Sequence, residues 1–118
     1  MPLAVGMENY TEQRFHHSLT PSFTNCDHGN IMIVFNRDWV YDRIDNHYDD
    51  VQFFMLHELR HANQFVQIMQ LEQGEATQEP PLTIHFKIME TAFPEVDRFI
   101  LNTFFFHIVN KHQNTPSS

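Results

Sequence analysis

Apolar and polar positions divide the chain into a polar opening, one short apolar run and two longer helical regions. Ile31-Met32-Ile33-Val34-Phe35 is continuous, rich in β-branched residues, and bounded by Gly29-Asn30 and Asn36. It reads as a buried or half-buried strand. Val51, Met55, Leu59, Ala62, Val66 and Met69 then recur every three or four positions, the period of one helix face. Asp49-Asp50 supplies an N-cap and an acidic first turn, and Gly74 suits the C′ position. The spacing therefore predicts a helix from about Val51 to Gln73. His57, His61, Gln64 and Ile68 form a second line beside its core stripe.

The flanking segments are less regular. Met1 to about Asn30 is polar and turn-rich, with Thr20-Pro21-Ser22 and His28-Gly29-Asn30 as breakers. Within it, Tyr10 to Leu19 suits a short helix or a strand, and Asp38 to Asp45 suits a short helix or a turn. Residues 74–81 read as a polar loop ending in Pro80-Pro81. A second helical region is expected from about Leu82 to Lys111, broken or kinked near Phe93 because Pro94 comes next. Phe104-Phe105-Phe106 is apolar around much of the circumference, which puts this helix in the centre. Residues 1–8 and 113–118 are expected to be flexible. The reading is one α+β domain over residues 1–118: a small sheet containing Ile31 to Phe35, packed on the long helix, with a C-terminal helical region completing the core.

Composition narrows the function. The 118 residues suit a single domain, and 42% apolar content favours a packed core over disorder. Twelve Phe against one Trp make that core aromatic. The net charge of −8, from 7 basic and 15 acidic residues, argues against a nucleic-acid partner. The single cysteine, Cys26, excludes an internal disulfide and fits a reducing compartment. The apolar N-terminal run lacks a preceding basic residue and the length of a signal peptide. No stretch approaches the length of a membrane span. A cytoplasmic location without membrane contact is the expectation.

Nine histidines are many for this length, and two of them fall in His57-Glu58-Leu59-Arg60-His61 on the predicted helix. Residues i and i+4 lie one turn apart on one face, so two imidazoles there can hold one Zn²⁺. The helical period turns Glu58 about 100° away, beside the metal rather than on it. From there it can act as general base toward a metal-activated water. A bland alternative is that His57 and His61 are ordinary helix residues, with Glu58 and Arg60 solvated. Arg60 cannot ligate a metal and reads as an ion-pair residue. Gln64 continues the histidine line and can hydrogen-bond a ligand. Tyr10, Tyr41, Tyr48 and His47 are open choices for an oxyanion donor. His16, His17 and His28 read as loop residues.

The run His57-Glu-Leu-Arg-His-Ala-Asn-Gln64 resembles the active helix of a family of small zincin-class metallopeptidases, whose motif is His-Glu-Leu-Arg-His-Ala-aromatic-Gln. Asn63 departs from it. Only this eight-residue motif is specific, although the arrangement from Ile31 to Phe99 is similar. The resemblance implies a minimal zincin-like domain of the gluzincin type, in which a downstream helix supplies a Glu as third ligand. Glu90-Thr91-Ala92-Phe93 is the best match to that helix, so Glu90 joins His57 and His61 as an expected metal residue, with Glu95, Asp97 and His85 as alternatives. The strand Ile31 to Phe35 takes the place of the edge strand bordering the cleft. The implied function is zinc-dependent hydrolysis of peptide bonds, with Glu58 catalytic and a peptide or protein as substrate. No second domain closes a cleft, so a protein partner is a candidate for completing it. The alternative is a non-catalytic, metal-binding interaction protein on the same scaffold.

Overall fold

The computed structural model describes residues 1–74, 82–90 and 93–113. It has a four-stranded mixed sheet in the order β2-β3-β1-β4 with helices, a small α+β fold. The strands are β1 (Pro2–Glu8), β2 (Ser22–Asp27), β3 (Asn30–Asn36) and β4 (Thr83–Phe86). β1 runs parallel to β3 and to β4, and β2 pairs antiparallel with β3. The helices are α1 (Glu12–Phe15), α2 (Arg37–Arg43), α3 (Tyr48–Glu72), α4 (Pro94–Ile100) and α5 (Phe106–Gln113), with a π-helical turn at Leu101–Phe105 between the last two.

The long helix and the strand at Ile31 to Phe35 form as the pattern predicts. Val51, Met55, Leu59, Ala62 and Val66 are buried along α3. They meet Leu3, Val5 and Met7 of β1 and Ile31, Ile33 and Phe35 of β3, which alternate toward the helix as a period of two requires. Ile100, Leu101, Phe105, Ile108 and Val109 complete the same core. Gly74 has φ +71°, the left-handed conformation of a helix stop.

Three expectations are corrected. Residues 1–8 are not a flexible end: Pro2–Glu8 is an internal strand with partners on both sides. Gly6 is required there, because a Cβ would lie 2.5 Å from the carbonyl oxygen of Lys87. β3 is internal too, so Ile31 to Phe35 is not an edge; β2 and β4 are the edges. The second helical region begins at Pro94 rather than Leu82, since Thr83–Phe86 pairs with β1 as a strand. The breaker at His28-Gly29 is a two-residue hairpin turn joining β2 to β3, with φ of 50° and 81°. Phe105 is buried as expected of a central helix, but Phe106 is 55% exposed. Expectations for residues 75–81 and for the tail 114–118 lie outside the described residues. No described helix is long and apolar enough to cross a membrane.

Candidate metal centre

His57 and His61 project from one face of α3, half-buried. Their Nε2 atoms converge to 3.1 Å, and the two rings stand nearly perpendicular at 88°. Two imidazole nitrogens on one tetrahedral zinc, at ~2.0–2.1 Å each, lie roughly 3.3 Å apart. The helix alone sets this pair at a ligand-like separation. Nδ1 of His61 lies 3.0 Å from the amide oxygen of Gln64. An amide oxygen only accepts, so in this pairing Nδ1 of His61 carries the proton, and its Nε2 accepts a hydrogen bond from Nε2–H of His57. The His57 ring lies along that of Phe53, at 6.2 Å and 14°, and edge-on to Phe54 at 6.3 Å. Phe54 in turn abuts Trp39 of α2. An aromatic shelf thus limits how far His57 can swing.

Glu58 points elsewhere. It is 4% exposed, and both oxygens of its carboxyl group face β2. Ser22 Oγ donates to Oε2 at 2.7 Å and Thr24 Oγ1 to Oε1 at 2.7 Å. Thr24 Oγ1 also lies 3.2 Å from the backbone carbonyl of Glu58. Ser22, Thr24 and Cys26 occupy alternate positions of β2, and Cys26 Sγ lies 4.0 Å from Met69 Sδ further along α3. Glu58, the second residue of the motif, therefore fastens the helix to the antiparallel edge strand. Sequence reasoning missed these two hydroxyls. Their period-two spacing was readable, but the turn-like Thr20-Pro21-Ser22 before them hid the strand.

Glu90 does not join the histidines. Its Oε1 accepts from the backbone N–H of Asn9, and its Oε2 from Arg37 Nη1, each at 3.0 Å. The physical reason is Arg37, whose side chain is 1% exposed at the start of α2. A guanidinium so buried requires anions around its donors. Asp97, fully buried, accepts from Nε at 3.0 Å and also from Nη2. Asn9 Oδ1 accepts from Nη1 at 2.8 Å, and Tyr41 donates to Asp97 at 2.6 Å. Burial opposes the charge of Arg37, but hydrogen bonds to Asp97 and Glu90 outweigh it and hold the guanidinium above its ordinary range. Burial, then the bond to Asp97, pushes the Tyr41 phenol up to about 12.

Asp97 is thereby removed as an alternative ligand. Glu95 is exposed at the start of α4, and His85 is exposed on β4. Among the described residues, no group of three or more His, Cys, Asp or Glu is placed to hold an ion. Of the remaining residues considered for the site, Tyr41 belongs to the Arg37 cluster. Tyr48 Oη is buried without a hydrogen-bond partner among the described residues. Arg60, His16, His17 and His28 are exposed. No family model, curated protein or solved structure matches the chain.

Proposed function

We propose that the chain is a zinc-binding protein whose metal residues are His57 and His61, and that the metal serves association rather than hydrolysis. The observation that carries the zinc reading is the convergence of the two Nε2 atoms at 3.1 Å, with Gln64 hydrogen-bonded to the far nitrogen of His61 and orienting its ring. Two imidazoles suit zinc by donor chemistry and by separation. When bound, zinc supplies a Lewis acid and a holding point for further donors. The state of Glu58 favours the non-catalytic use: both its oxygens are engaged by buried or half-buried hydroxyls. A general base needs one of them within reach of the attacking water. Zinc analysis of the purified full chain tests the proposal. The native protein should retain zinc after dialysis, and His57→Ala and His61→Ala should each lose it. Equal zinc in all three would sink the assignment.

A second reading, zinc-dependent peptidase, is favoured by a different observation. The resemblance of residues 57–64 to a zincin active helix extends to Gln64, which is seated on His61, and an antiparallel edge strand borders that helix. In this reading His57 and His61 hold the metal. Glu58 would exchange one hydroxyl for the attacking water and take its proton. Hydrolysis of unfolded casein that drops by about 10²–10⁴ in Glu58→Gln, with zinc content unchanged, would establish this reading and displace the first.

A further inference from the structure

We propose that the exposed face of α3 is an interface between two copies of this chain, joined by one Zn²⁺ that takes His57 and His61 from each copy. The inference rests on the zinc reading above and names the partner.

The first argument is coordination. A closed zinc site takes four protein ligands, and α3 offers two. Of the carboxylates expected to add to them, Glu90 and Asp97 are turned onto Arg37. A two-fold axis through the ion supplies an identical second pair, and an isologous contact of this kind closes on itself.

The second argument is the surface around the pair. His57, His61, Gln64, Ile68 and Leu71 succeed one another at steps of four and three, the spacing of a helix seam. The apolar members are bare: Phe53, stacked on His57, is 58% exposed, Ile68 51% and Leu71 63%. The sheet, α2 and α5 pack against other sides of α3, and no described element covers this stripe.

The third argument is charge. The chain carries a net −8, so two copies repel across most orientations. Between Val51 and Leu71 the sole acidic residue is Glu58, and it is buried against β2. The histidine face is therefore a long stretch of α3 on which two acidic chains can meet without opposing carboxylates. Apolar contacts and the shared ion act together there, and the ion sets the register.

Sedimentation equilibrium of the full chain, with zinc sulfate titrated in or with EDTA, tests the inference. The expected result is a monomer of 14.1 kDa in EDTA and a species of twice that mass with zinc, saturating at about half an equivalent of metal per chain by the four-ligand count. His57→Ala and His61→Ala should remain monomeric with zinc present. Ile68→Glu, which places a carboxylate on the seam, should weaken pairing by roughly tenfold or more while α3 stays folded by circular dichroism. A zinc-loaded monomer with one ion per chain would overturn the inference and leave the zinc reading standing. A protein that takes up no zinc would overturn both. A dimer that persists in EDTA, or in His57→Ala, would refute the metal bridge.

Discussion

Around Arg37 the hydrogen-bonding groups close on one another, whereas around His57 and His61 they stop half way. The guanidinium has Asp97, Glu90 and Asn9 as acceptors, and Tyr41 caps Asp97 from the other side. The imidazoles have each other and Gln64, then solvent and an aromatic shelf. Both sets contain groups that sequence reasoning considered for one site. The structure separates them by burial. A buried cation attracts every available carboxylate, because an unpaired one costs several kcal/mol. A pair of imidazoles at a half-open face imposes no such demand, and its further contacts are left to solvent or to a group from outside the chain. Closure marks the structural cluster, and incompleteness marks the candidate site.

The comparison can be broken by substitution. The largest effect should come from Asp97→Ala, which removes the fully buried partner of Arg37 and leaves its Nε and Nη2 without a carboxylate. A loss of about 3–5 kcal/mol is expected in urea unfolding, with zinc binding unchanged in whatever fraction remains folded. A loss below about 1 kcal/mol would mean that the cluster is not closed as described. Next is Glu58→Ala, expected to cost about 2–3 kcal/mol because two hydroxyls lose a shared acceptor. Thr24→Val should cost less than Glu58→Ala, and the double variant should be less destabilised than the sum, since the two groups touch.

A smaller effect depends on pH. The Tyr41 phenol ionises near 12 in the folded chain, against 10 for a free phenol. The folded state holds this proton more tightly, so its contribution is intact below pH 10 and is lost as pH rises from about 10 to 12. Tyr41→Phe should flatten that part of the alkaline stability curve relative to native protein; parallel curves would refute it. The smallest effect belongs to the open site. Metal-free His57→Ala should unfold within about 0.5 kcal/mol of the native chain, as a change at a half-exposed position does. Added zinc should raise the melting temperature of the native chain and leave that of the variant unmoved.

The parts legible in the sequence were those with long, regular periods. The stripe from Val51 to Val66 stood out because twenty-five residues of α3 repeat one pattern, and with it came the position of His57 and His61 on one face of that helix. Ile31 to Phe35 stood out as a block, but a block does not tell an internal strand from an edge. That distinction depends on β1, which was read as a flexible terminal segment. β4 was lost in the same way: its four residues give too little alternation to outvote the helical pattern of the C-terminal region. Glu90 was misplaced for a different reason. Its partner, Arg37, lies 53 positions away, and no local pattern reports a contact between an isolated arginine and an isolated glutamate. The hydroxyls of Ser22 and Thr24 were in view as residue types, but their meaning required knowing which way Glu58 turns.

The π-helical turn at Leu101–Phe105 carries a consequence for how this chain can change length. Such a turn houses one residue more than an α-helix of the same rise and absorbs it on the spot. Ile100 and Leu101 at its start, and Ile108 and Val109 after it, all stay on the core. Between the turn and Ile108, deleting one residue would rotate everything downstream by about 100° and carry Ile108 off the core. Deleting Thr103, exposed within the turn, would instead relax the bulge into ordinary helix and leave both halves in phase. The helical region from Pro94 to Val109 thus contains one turn at which a gap is silent, followed by a stretch in which a gap pulls core residues out of place.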